Sequence, residues 1–61
     1  MPIITVEASK SLTKEEKEKL ISDASTIVAE GFQLPIQTIT MIIYENTPEN
    51  IGVGGKPVSK E

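Results

Sequence analysis

Two short stretches of this chain alternate in polarity at every second residue, and a longer one between them repeats its apolar residues every three to four. In residues 2–8, Ile4, Val6 and Ala8 share one face while Ile3, Thr5 and Glu7 share the other, the period of a strand. Pro2 suits the first position, where no ladder N–H is required. In residues 39–45, Ile39, Met41 and Ile43 alternate with Thr40, Ile42 and Tyr44. Both faces are largely apolar, which predicts a strand covered by a helix on one side and by a neighbour on the other.

The intervening stretch opens on Thr13-Lys-Glu-Glu16, a capping box that places the helix start after Thr13. Leu20, Ile21, Ala24, Ile27 and Val28 then form one apolar stripe, and the acids of the first turn complement the helix dipole. Gly31 is expected to end the helix, with Pro35 forbidding continuation, so its length is expected to be about 17 or 18 residues. Residues 9–12 read as a polar loop and residues 46–49 as a turn. The tail from Asn50 to Val58, with Gly52-Val53-Gly54-Gly55, reads as a hairpin that docks elsewhere. The expected fold is α+β: one domain over residues 1–61, a β-α-β unit with parallel strands and a right-handed crossover, followed by a short C-terminal hairpin.

Length changes the picture. Sixty-one residues bury too little surface to be stable without a staple. The chain has no cysteine and no histidine, which removes disulfides and makes a metal site a poor expectation. Oligomerisation is the remaining staple. The net charge of −3, with no basic cluster, argues against a nucleic-acid partner. Apolar runs are far shorter than a membrane span, and no charged stretch leads into an apolar one at the start. No signal peptide, no membrane and a cytoplasmic location are therefore expected.

Composition also narrows the chemistry. Without His, Cys or Arg, Ser–His and Cys–His nucleophiles and bidentate arginine clamps are unavailable. The second residue, Pro2, offers an alternative. Removal of Met1 would leave a secondary amine at the chain start, and an α-amino group has a pKa of about 7.7–8.0. An apolar surround or a nearby cation lowers that value and raises the free-base fraction, toward what proton transfer favours. With Met1 retained, the Pro2 nitrogen is an amide and no base. The Gly52–Gly55 segment does not follow a strand and open a helix, so turn formation outweighs phosphate binding. The alternating charges from Lys14 to Lys19 read as a solvated face.

The order Met1-Pro-Ile-Ile4, Leu12-Thr-x-Glu-Glu-Lys17, Leu20-Ile21, Leu34-Pro35, Met41-Ile-Ile-Tyr-Glu45 and Ile51-Gly-Val-Gly-Gly-Lys56 resembles the 4-oxalocrotonate tautomerase family without gaps from Pro2 to about Ser59. The resemblance implies a homohexamer, a trimer of dimers, whose hairpins reach onto neighbouring dimers. It implies Pro2 as a general base that moves a proton between oxygen and carbon of a small enol or 2-oxo acid, with no cofactor. It also exposes two departures: the arginines that hold substrate in the family fall on Leu12 and Thr40, and a pocket aromatic falls on Ile51. Lys10, in the same loop as Leu12, is the nearest substitute cation, though it is equally a solvated loop charge. Ser9 and Thr38 offer hydroxyl or backbone donors, or simply local turn bonds. Pro2 as catalytic residue and Lys10, Ser9, Thr38 and Ile51 as substrate-binding residues form the expected site. A weakly active or inactive assembly of the same fold is the alternative, and hydration or dehalogenation on the same scaffold a further one.

Overall fold

The computed structural model describes residues 1–58, in the order strand β1 (Ile3–Ala8), helix α1 (Lys14–Phe32), a 3-10 turn (Ile36–Thr38), strand β2 (Thr40–Glu45), a second 3-10 turn (Pro48–Asn50) and the strands β3 (Gly52–Val53) and β4 (Lys56–Pro57). β1 and β2 are parallel, with Ile3 opposite Thr40 and Ala8 opposite Glu45. β3 and β4 form an antiparallel hairpin. Gly54 and Gly55 link them at φ 63° and 84°, a two-residue turn that glycine enters without steric cost.

α1 begins as its capping box requires. Thr13 Oγ1 accepts from Glu16 N–H at 3.1 Å, and Glu16 Oε1 accepts from Thr13 N–H at 3.0 Å. The helix runs 19 residues and passes through Gly31, where the sequence suggests a stop. The left-handed residue is Gln33, at φ 57°. Gln33 N–H donates to Glu30 O and Leu34 N–H to Ala29 O, a Schellman-type ending whose bonds offset the cost of a Cβ in that region.

The alternation along both strands is visible in their burial. Ile4, Val6, Ala8, Met41, Ile43 and Glu45 are partly covered, whereas Ile3, Thr5, Glu7, Thr40, Ile42 and Tyr44 are exposed. The buried line of α1 is centred differently from the expected stripe: Ser25 and Ala29 are its buried members, while Ile27 is 68% exposed. Ile27 lies about 100° around the helix from Val28, on the flank of the half-buried line that includes Leu20, Ala24 and Val28.

A chain of this mass folded as a compact monomer would have about 3,900 Å² of accessible surface and a radius of gyration near 10.5 Å. This chain has 4805 Å² and 14.7 Å. It is a slab 43 × 25 × 12 Å, with one sheet face bare and Ala29 its sole buried apolar residue among those described. Such a chain does not enclose a core alone.

Candidate active site

Pro2 lies just outside β1 because its nitrogen has no hydrogen to give to a ladder, yet its carbonyl accepts from Thr40 N–H at 3.1 Å. That bond ties the residue's carbonyl side to β2 and leaves the nitrogen side at the chain start. Met1, ahead of it, is 86% exposed. Thr38 is at the same end, two residues before β2, where its hydroxyl and N–H both bond to Pro35 O at 2.8 and 3.0 Å. The hydroxyl is thus engaged in a local turn.

A shallow cleft lies at the opposite end of the strands, lined by Glu7, Ala8, Ser9, Asn46 and Ile51. Two expected site residues, Ser9 and Ile51, are in its wall. Lys10 follows Ser9 in an exposed position. Asn46 closes the end of the strand pair: its N–H donates to Ala8 O at 2.8 Å and its amide nitrogen to Glu7 Oε1 at 3.2 Å. At about 3.3 Å per residue, β1 separates this cleft from Pro2 by about 20 Å. The expected residues are therefore not one cluster within a chain. They fall in two groups, Pro2 and Thr38 at one end and Ser9, Lys10 and Ile51 at the other. The length of the first alternating stretch already contains this separation, because Pro2 and Ser9 bracket it.

The loop joining β1 to α1 is held by a residue that spacing alone does not mark. Glu45 Oε2 accepts from Leu12 N–H at 2.9 Å, and Glu45 Oε1 pairs with Lys17 Nζ at 3.0 Å. The Leu12 N–H and then the Lys17 ammonium hold the Glu45 carboxyl below the ordinary carboxylate range, because both favour its charged form. Lys17 is therefore not part of a purely solvated face. The two positions at which the resemblance implies arginine are also at opposite ends: Leu12 ends this loop, and Thr40 begins β2 beside Ile3.

Among the described residues, no cluster of acidic side chains is arranged to hold a metal ion, and no helix is long and apolar enough to cross a membrane.

Residues 2–61 match the tautomerase enzyme family. A 2-hydroxymuconate tautomerase of Pseudomonas sp. strain CF600 is 33% identical over 60 residues, covering 98% of this chain and 95% of the relative. Among solved structures, a heterohexamer 4-oxalocrotonate tautomerase from Chloroflexus aurantiacus superposes with a TM-score of 0.84 at 25% identity, covering 98% of this chain and 97% of that one. DmpI from Archaeoglobus fulgidus superposes with a TM-score of 0.83 at 30% identity, covering 97% and 100%. With the family matched over residues 2–61 and the fold shared along nearly the whole chain, this protein belongs to the tautomerase family.

Proposed function

We propose that the protein is a proline-based tautomerase acting on a small enol acid of the 2-hydroxydienoate kind, with Pro2 as general base once Met1 has been removed. The observation that carries this reading is the placement of Pro2: its carbonyl is anchored to Thr40 N–H while its nitrogen stands at the start of the chain behind an exposed Met1. The free amine takes the enol O–H proton, and the resulting ammonium returns a proton to carbon on the same face of the substrate. The product is an isomer, so no cofactor or co-reactant is required.

The two groups are half-sites and must come from different chains. The bare sheet face and the hairpin give the chain surfaces on which to assemble, and a homohexamer built as a trimer of dimers joins the Pro2 end of one copy to the Ser9–Lys10–Ile51 end of another. Lys10 then offsets the substrate carboxylate or the developing oxyanion. A lysine gives a point charge without the planar fork of arginine, so turnover is slower than in relatives with arginine. The absence of arginine also favours a second reading, an assembly with a binding role and little catalysis. Co-assembly with a different chain, as in the Chloroflexus heterohexamer, is separable by mass: six chains of 6.6 kDa give about 40 kDa from one gene product.

The test begins with intact mass of the protein to establish Met1 removal, followed by ketonisation of 2-hydroxymuconate and enol phenylpyruvate. Pro2→Ala is expected to lower kcat by about 10²-fold or more, the range for loss of a general base; unchanged activity would sink the mechanism. Co-assembly of equal amounts of Pro2→Ala and Lys10→Ala chains is expected to recover about a quarter of wild-type activity, because a quarter of shared sites then receive both intact residues. A mixture no better than the weaker variants' average would place both residues' work within one chain.

A further inference from the structure

We propose that Glu45 is a positioning residue for substrate binding: by holding Leu12 N–H it sets the Ser9–Leu12 loop, and with it Lys10, in the place that the neighbouring chain's Pro2 requires. The inference rests on the reading of Lys10 given above. The loop is only four residues long and is tied at both ends. At its start, Asn46 N–H closes on Ala8 O at 2.8 Å. At its end, the Glu45 carboxylate takes Leu12 N–H at 2.9 Å across 33 residues of sequence. Ser9, Lys10 and Ser11 between these ties are exposed, and the side-chain bonds of the described residues include none from them. Their placement therefore depends on the two anchors.

Glu45 is well suited to the task. It is the last residue of β2, so its backbone is fixed by the parallel ladder opposite Ala8. Its second oxygen pairs with Lys17 in the first turns of α1 at 3.0 Å, which restricts the carboxylate's rotation. One side chain thus joins β2, the loop and the helix. A hydrogen bond to a charged acceptor is stronger than a neutral one, and a catalytic geometry tolerates little looseness in the shell behind it.

The experiment measures KM and kcat for 2-hydroxymuconate in a double-mutant cycle of Glu45→Ala and Lys10→Ala. Glu45→Ala is expected to raise KM about five- to tenfold with kcat within about twofold, the signature of lost binding rather than lost chemistry. It is expected to add nothing in the Lys10→Ala background, since its effect passes through Lys10. Glu45→Gln, whose amide oxygen still accepts from Leu12 N–H, is expected to restore KM to within about twofold of wild type. Glu45→Asp keeps the charge but shortens the reach, and must move KM in the same direction as Glu45→Ala. That variant decides the matter if Glu45→Ala does not assemble. A KM unchanged by Glu45→Ala or Glu45→Asp, while Lys10→Ala raises it, overturns the positioning role alone. An equal effect of Glu45→Ala with and without Lys10 overturns it as well. A silent Lys10→Ala overturns the Lys10 reading itself, and this role with it.

Discussion

Consider a carboxylate placed on the bare face of the sheet by Ile42→Asp. Ile42 lies opposite Thr5 in the parallel ladder, two pairs from Glu7 and Tyr44, and 40% of it remains exposed in the single chain. Complete burial of an isoleucine side chain is worth about 1.5–3 kcal/mol, so covering the remaining two-fifths is worth about 1 kcal/mol per chain. That loss is the smaller part. An uncompensated charge enclosed in a contact costs about 3–5 kcal/mol, and a two-fold contact contains the substitution twice. The total is about 8–12 kcal/mol per dimer, more than 10⁵-fold in the dissociation constant at 1.4 kcal/mol per decade.

Because Ala29 and Ser25 are the only buried residues among those described, separation of the chains should also remove the helix. Sedimentation velocity and far-ultraviolet circular dichroism over a concentration series measure both effects. Wild-type protein is expected to be a folded oligomer whose melting temperature rises with concentration. The Ile42→Asp chain is expected to be monomeric and largely unfolded at micromolar concentration. A folded Ile42→Asp monomer would refute the claim that this chain lacks a core of its own. An oligomer of unchanged stability would refute the assignment of the bare face to the contact.

Three further outcomes follow from the local geometry. The Glu45 carboxyl has a folded-state pKa below its ordinary value of 4.5, so its stabilising contribution is complete above that value and is lost as pH falls through the folded-state pKa; melting curves should show wild type losing stability below pH 4.5 more steeply than Glu45→Gln, and parallel profiles would refute this. Leu12→Arg combined with Thr40→Arg supplies cations at the two positions where the resemblance implies substrate-holding arginines, and on the proposed function kcat/KM for 2-hydroxymuconate should rise about tenfold or more; no gain in a correctly assembled variant would show that those positions do not face the substrate here. Thr13→Ala removes the acceptor for Glu16 N–H at 3.1 Å and should lower stability by about 1 kcal/mol per chain, read as a lower denaturation midpoint with unchanged slope.

The parts of the fold visible in the sequence are those whose causes are local. Thr13 and Glu16 are three residues apart, and their reciprocal bonds need nothing else. The alternation of residues 3–8 and 40–45 needs only the strand period, and the glycine pair at 54 and 55 needs only its turn. The helix stop was less legible, because Gly31 is merely permissive. The ending was decided by the N–H groups of Gln33 and Leu34 finding Glu30 and Ala29 carbonyls, with Pro35 beyond. The buried line of α1 was displaced toward Ser25 and Ala29 because the direction of the sheet, not residue hydrophobicity, chooses which part of a broad stripe is covered. The anchoring role of Glu45 was not legible for a similar reason: its partners Leu12 and Lys17 are distant in sequence and meet it only once β2 has paired with β1.

The same consideration links the missing core to the divided site. The resemblance implies Pro2 as a base without showing what would stand opposite it, and the strand pairing sets Ser9, Lys10 and Ile51 at the far end of the described chain. A β1 strand about 20 Å long sets Pro2 at one end and the Ser9–Leu12 loop at the other, in a slab only 12 Å thick along its shortest axis. Lengthening the loop would not bring Lys10 back to Pro2 without crossing the sheet or unwinding α1. An antiparallel association of two such slabs would remove both deficits together. It would cover Ile3, Ile42 and Tyr44, exposed in the single chain, and set the start of one β1 toward the end of another. On the proposed function, burial and catalysis would then draw on one set of contacts, and a residue that weakens assembly would weaken the site even where it touches no substrate.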